Sequence, residues 1–186
     1  RLALGLSDND LMLLAVGRLH EAKDYPNLFH AIEILLKQDD EHKNIYLFVV
    51  GDGDLRSELE HLITEKKLST QVHLLGRRSD IPQLMSAADL FILSSSFEGF
   101  GLVVAEAMAC QTYVVATDCG GVKEVMGDTG ILVQPKNSLD LAQALMRAIN
   151  LSDVEVIHNN MRALKHVSKN FDLENIVTKW LEIYAK

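Results

Sequence analysis

Two cations, two carboxylates and a glycine-rich turn carry most of the chemistry this chain could perform. Arg18 and Lys23 stand five residues apart in the segment Gly17-Arg18-Leu19-His20-Glu21-Ala22-Lys23, directly after a short apolar run. Such a pair suits a diphosphate, since arginine offers a planar fork of donors and lysine a mobile point charge. The alternative is that both are solvated surface residues. A second segment, Ser94-Ser95-Ser96-Phe97-Glu98-Gly99-Phe100-Gly101, also follows an apolar run and leads into an apolar helical stretch. Its small residues let a backbone approach a ligand closely, and a helix start there would aim free N–H groups at an anion. An ordinary strand-to-helix turn is the other reading. Between Phe100 and Thr117, Glu106 is the only charged side chain. It pairs within the fold, occupies the one exposed position of its helix, or faces a polar ligand such as a sugar hydroxyl.

These residues need a scaffold, and the hydropathy pattern supplies one. Apolar runs at residues 11–17, 44–51, 72–76, 90–94, 113–117 and 130–133 read as strands. They alternate with helical patterns at 25–38, 55–68, 81–88, 101–110 and 139–149, and two more helices follow at about 154–169 and 173–184. Nearly continuous Val/Ile/Leu strands are those of a sheet covered on both faces. The predicted class is therefore α/β: a doubly wound, Rossmann-like parallel sheet of about six strands, with flanking helices and a purely helical tail over 151–186. The stretch 101–110, almost wholly apolar, reads as a buried helix. In the usual strand order, 3-2-1-4-5-6, ligands bind beyond the carboxyl ends of strands 1 and 4, where the order reverses. Both motifs above follow those two strands.

Composition narrows the function. The chain has 186 residues, 48% hydrophobic and 24% charged, enough for one folded α/β domain. A net charge of −8 argues against a general nucleic-acid binder. The two cysteines, Cys110 and Cys119, form no C-x-x-C pair, and a reduced, cytoplasmic setting is expected. No apolar run approaches a membrane span. The seven histidines show no metal-ligand spacing, so no metal is expected. The chain opens at Arg1 with no methionine or signal peptide, and is read as a cloned domain lacking an N-terminal partner.

The blocks VGRLHEAK, FVVGDGDLRSELE, VHLLGRRSDIPQL, ADLFILSSSFEGFGLVVAEAMA and GGVKEVMGDTGILV occur in that order over residues 1–150. Together they resemble the C-terminal, donor-binding domain of GT-B-fold retaining glycosyltransferases of the group 1, family 4 type. The resemblance implies transfer of a sugar from a nucleoside diphosphate to a hydroxyl with retention, without metal or other cofactor. It places Glu98 and Glu106 in the family's Glu-x7-Glu motif, the first on donor-sugar hydroxyls and the second on the ribose. Arg18 and Lys23 match the basic pair on the diphosphate, beside Gly17. Gly99, Phe100, Gly101 and Leu102 match the segment whose N–H groups meet phosphate and sugar. Arg77 and Arg78, within 76–81, match the loop beside the base, and Asp52 and Gly53 match a turn near the nucleotide, which also serves simply to end the second strand. The resemblance implies an acceptor, glycan or glycolipid, held mostly by the missing N-terminal domain, and any membrane contact through that half, at the cytoplasmic face. The final helix around Trp180 crosses towards that domain or packs on this one.

One departure stands out. Where the family has Gly-x-Pro after this helix, the chain has Cys110-Gln111-Thr112-Tyr113, so Gln111 is expected to take a left-handed conformation. Two rival readings accompany the resemblance: a nucleotide-sugar epimerase of the same architecture, and a non-catalytic nucleotide-sugar-binding module. A dinucleotide-dependent oxidoreductase is disfavoured, because the first strand lacks G-x-G-x-x-G.

Overall fold

A computed structural model describes residues 1–38 and 44–184. Six parallel strands, β1 (Leu11–Val16), β2 (Ile45–Val50), β3 (Val72–Gly76), β4 (Leu90–Leu93), β5 (Tyr113–Thr117) and β6 (Ile131–Val133), form one sheet. Their order is β3-β2-β1-β4-β5-β6, the doubly wound arrangement expected, with its reversal between β1 and β4.

Strand periodicity divides the core. Leu13, Ala15, Leu47, Val49, Ile92 and Val115 face one side, against α1 (Tyr25–Gln38), α2 (Arg56–Glu65) and α6 (Ser138–Ile149). Met12, Leu14, Phe48, Val50, Phe91, Leu93, Val114 and Ala116 face the other, against α3 (Ile81–Ala87), α4 (Leu102–Ala109), α5 (Val122–Met126) and α7 (Asp153–Asn170). Successive side chains alternate in face, so apolar runs without alternation must be buried on both.

Four details differ from the sequence reading or refine it. The five-residue α5 is too short for a periodicity to reveal it. Helix α4 is not wholly buried: Val104, Ala107 and Met108 pack inward, while Leu102 and Glu106, four residues apart on one face, are exposed. Within the helical tail, α7 belongs to the core. It starts with a Ser152–Glu155 capping box and buries Asn160, Ala163 and Val167, the last two in the same cluster as α4. Helix α8 (Leu173–Tyr184) instead leaves Trp180, Leu181, Ile183 and Tyr184 largely exposed; residues 185–186 of the tail lie outside the described residues.

Gln111 has φ of 58°, in the left-handed region where the sequence placed it. Its carbonyl accepts from Asn160 Nδ2 at 2.8 Å, tying the turn to α7, while Thr112 Oγ1 donates to the Met85 carbonyl at 2.7 Å.

Candidate functional site

The loops after β1 and β4 meet. Lys23 closes a short 3-10 turn, Glu21–Lys23, whose first N–H partner is supplied by His20: its Nδ1 accepts from the Ala22 N–H at 3.2 Å. His20 is thus a cap on the turn that carries Lys23. The Ala22 carbonyl accepts from the Ser96 N–H at 2.8 Å, and Ser94 Oγ donates to the Lys23 carbonyl at 2.8 Å. These bonds stitch the two loops side by side at the switch point.

Across that seam Lys23 Nζ reaches Glu98 Oε1 at 2.5 Å, with both side chains largely buried. Ser95 Oγ donates to the same oxygen at 2.7 Å. Glu98 therefore sits in a charge-assisted pocket made by a serine of its own loop after β4 and a lysine of the loop after β1. Tyr25, at the start of α1, donates from its hydroxyl to the Gly17 carbonyl at 3.1 Å. Burial, reinforced by the nearby Glu98 charge, pushes this phenol far above its usual range, so it remains a neutral donor. Burial likewise raises the Cys119 thiol, which stays protonated at neutral pH and serves as a small apolar side chain.

Glycines bring the backbones close. A Cβ on Gly51 would lie 1.9 Å from the Gly17 carbonyl oxygen, and one on Gly53 would lie 2.4 Å from that of Leu19. Asp52 completes this contact, its carbonyl accepting from the Leu19 N–H at 3.1 Å and its carboxylate from the Gly53 N–H at 2.9 Å. On the other side, a Cβ on Gly120 would lie 1.7 Å from the Glu98 carbonyl oxygen, and one on Gly121 would lie 3.1 Å from that of Gly99. Gly99 itself faces nothing within 4 Å.

Gly101, with φ of 85°, turns the chain into α4, and no side chain caps the helix. The first helix-closing bond runs from the Val104 N–H to the Gly101 carbonyl at 2.9 Å. The start of α4 thus presents uncapped donors and a positive dipole end. Phe100 packs edge-on against Phe171 at the α7–α8 junction, 5.3 Å between ring centroids.

The predicted residues fall into three groups. Gly17, Lys23, Glu98, Gly99, Phe100, Gly101 and Leu102 lie on the stitched loops or the helix start they lead into. Glu106 stands one helical turn beyond Leu102, exposed and without an ion pair among the described residues, so the reading of it as an internally paired acid falls. The remainder are not joined to Lys23 or Glu98 by a described hydrogen bond or ion pair. Arg18 is exposed and pairs with Asp54 at 2.9 Å. Arg78 makes a two-pronged contact with Asp80, at 2.9 and 2.7 Å, which holds the guanidinium more firmly charged and the carboxyl below its usual range. Arg77 is exposed beside it, and Asp52 and Gly53 act through the backbone contact with Leu19. Among the described residues no group of three His, Cys, Asp or Glu is arranged to hold a metal ion.

The sequence reading missed Tyr25, Thr117, Gly120 and Gly121, and took Ser95 only as a small residue. Thr117 Oγ1 donates to the Ser95 carbonyl at 2.6 Å. The available signal was topological: β4 and β5 are neighbours, with Leu93 opposite Ala116, so their last residues must meet.

The chain is similar to known proteins in sequence and in fold. Residues 1–165 match the family model described as glycosyl transferases group 1. The chain is 31% identical over 184 residues to the N-acetyl-alpha-D-glucosaminyl L-malate synthase of Bacillus anthracis, covering 97% of this chain and 46% of that protein. It is 33% identical over 166 residues to a Campylobacter jejuni N-acetylgalactosaminyltransferase acting on a diphospho-undecaprenol-linked sugar, covering 88% of this chain and 43% of that protein. The Anabaena protein HepE, solved in complex with UDP, superimposes with a TM-score of 0.87 at 31% identity, over all of this chain and 51% of that one. The chain spans about half the length of the curated relatives it matches. With its doubly wound sheet, its stitched loops at the switch point and a family match over most of its length, the chain belongs to the group 1 glycosyl transferases.

Proposed function

We propose that this chain is the donor-holding half of a retaining glycosyltransferase, moving a sugar from a nucleoside diphosphate to a hydroxyl. One observation carries the reading: a lysine–glutamate pair and an uncapped helix start converge where the strand order reverses. A departing nucleoside diphosphate gathers negative charge on its outer phosphate. Lys23, Arg18 once released from its exposed partner Asp54, and the start of α4 answer that charge as it grows. The leaving group then has its counter-charge from the protein, so this reading calls for no metal. Glu98 takes hydroxyls of the sugar, Glu106 those of the ribose, and Arg77 and Arg78 flank the base. Retention follows a same-face path in which the departing phosphate accepts the acceptor's proton. HepE was solved with UDP, which makes uridine the base proposed here.

A second domain holds the glycan or glycolipid acceptor, and closure over the site excludes water. Helix α8, with its exposed Trp180, Leu181 and Ile183, crosses towards that domain. No helix among the described residues is long and apolar enough to cross a membrane, and the proposed setting is the cytoplasm.

Thermal unfolding against UDP, GDP, ADP, their sugar conjugates and NAD tests the reading. A ligand at ten times its Kd stabilises by about 1.4 kcal/mol. For a domain of this size the midpoint should rise by about 3–5 °C. A shift with uridine nucleotides that is lost in Glu106→Ala is expected. A shift with NAD alone overturns the proposal.

A further inference from the structure

We propose that Ser95, backed by Thr117, is a positioning residue that holds the Glu98 carboxylate once Lys23 turns to the donor phosphates; this rests on the donor-binding reading above. Both protein donors to Glu98 fall on one oxygen, Oε1: Lys23 Nζ at 2.5 Å and Ser95 Oγ at 2.7 Å. The single charge of Lys23 cannot balance Glu98 and a diphosphate together. A diphosphate carries more charge than one carboxylate, and the lysine stem is mobile. As Lys23 swings to phosphate, the largely buried Glu98 loses its ion-pair partner, and such a carboxylate must keep another donor or be displaced. Ser95 is the donor that stays.

Its surroundings fix its backbone. Ser95 is fully buried, and so is Thr117. Thr117 Oγ1 donates to the Ser95 carbonyl at 2.6 Å, and it lies at the end of the neighbouring strand. The residues on either side are pinned as well, Ser94 Oγ to the Lys23 carbonyl and the Ser96 N–H to the Ala22 carbonyl, each at 2.8 Å. With Gly120 packed on the Glu98 backbone, the carboxylate is held from behind at both its main chain and its Oε1, which leaves Oε2 without a protein partner among the described residues and available to a sugar hydroxyl.

The competing account is structural: a buried hydroxyl needs an acceptor, and Glu98 is simply the nearest. Kinetics of the full-length enzyme separate the two. Ser95→Ala should lower kcat about tenfold or more, the scale of a lost hydrogen bond to a charged group. UDP affinity should stay within about twofold, because UDP lacks the sugar that Glu98 holds. In a Glu98→Ala background, Ser95→Ala should have no further effect on kcat. Thr117→Val, nearly the same shape without the hydroxyl, should lower kcat in the same direction and carries the test should Ser95→Ala not fold. The proposal is overturned if Ser95→Ala keeps wild-type kcat, if UDP affinity falls as far as kcat does, or if the loss persists undiminished without Glu98. Glu98→Ala with an intact rate would overturn the underlying reading of Glu98. A damaging Glu98→Ala beside a harmless Ser95→Ala overturns only the role of Ser95.

Discussion

Gly120 and Gly99 lie on the two sides of one contact, and alanine at each should have opposite consequences. Gly120 has φ of +54° and would place a Cβ 1.7 Å from the Glu98 carbonyl oxygen and 2.8 Å from its carbon. Restoring ordinary contact requires that carbonyl to retreat by roughly 1.5 Å. Left-handed alanine costs about 1–2 kcal/mol. Overpacking adds about 1–3 kcal/mol. Together they predict a loss of about 2–5 kcal/mol, and a fall in melting temperature of about 5–15 °C. The displaced atom belongs to the residue assigned to the donor sugar, and a misplacement of about 1 Å at a reacting centre costs on the order of a hundredfold in rate. Gly99→Ala meets nothing within 4 Å, and Gly99 is not in the left-handed region, so stability should stay within about 0.5 kcal/mol of wild type. On the proposed reading a methyl group there would instead stand where phosphate or sugar approaches the backbone, and kcat/KM for the nucleotide sugar should fall about tenfold or more. Scanning calorimetry on this domain and steady-state kinetics on the full-length enzyme, for both variants, provide the comparison. A Gly120→Ala enzyme that melts and turns over like wild type would refute the packing argument. A fully active Gly99→Ala enzyme would remove Gly99 from the donor site.

Two further expectations concern stability. Gln111→Gly relieves a left-handed side chain while keeping the carbonyl that binds Asn160, and should raise the melting temperature by about 2–4 °C, net of the extra freedom glycine gives the unfolded chain; a lower melting temperature would show that the side chain earns its place there. Glu33 is held at about 2 by hydrogen bonds from Lys37 and Lys66, below its ordinary value of 4.5. A carboxyl lowered in the folded state stabilises above its unfolded pKa and loses that contribution as pH falls through the folded value. Because Lys37 is exposed and Glu33 itself is partly so, although Lys66 is largely buried, Glu33→Gln should cost less than about 1 kcal/mol at pH 7, and the difference from wild type should vanish near pH 2; a gap that widens on acidification contradicts the assignment.

Much of this arrangement was legible in the sequence because it is local. Unalternated Val/Ile/Leu runs announce strands covered on both faces, and their alternation with helices leads to the 3-2-1-4-5-6 order and so to the loops after β1 and β4. The left-handed Gln111 was legible from a missing glycine. What escaped was set by register and by rotation about a helix axis. The partner of Ser95 depends on β4 and β5 ending side by side, which no window of either strand contains. The exposure of Leu102 depends on which stripe of α4 meets the sheet, and an apolar helix carries little amphipathic signal to reveal it, whereas an exposed Glu106 was among the readings its charge allowed. The acidic partners of Arg18 and Arg78, Asp54 and Asp80, also went unread, the first because only tertiary folding brings it near.

The backbone contacts of Gly51 and Gly53 with the loop after β1 set a trap for any mutational scan. At both positions the first atom of any side chain would collide with main chain, so all nineteen replacements should fail alike, whatever their size or charge. Such uniform intolerance is easily mistaken for a role in chemistry. Residues that meet a ligand should be graded by the properties of the replacement, Glu98 retaining more with glutamine than with alanine. The shape of the tolerance profile, flat at the two glycines and graded at the carboxylate, therefore separates positions that hold the chain from those proposed to hold the substrate.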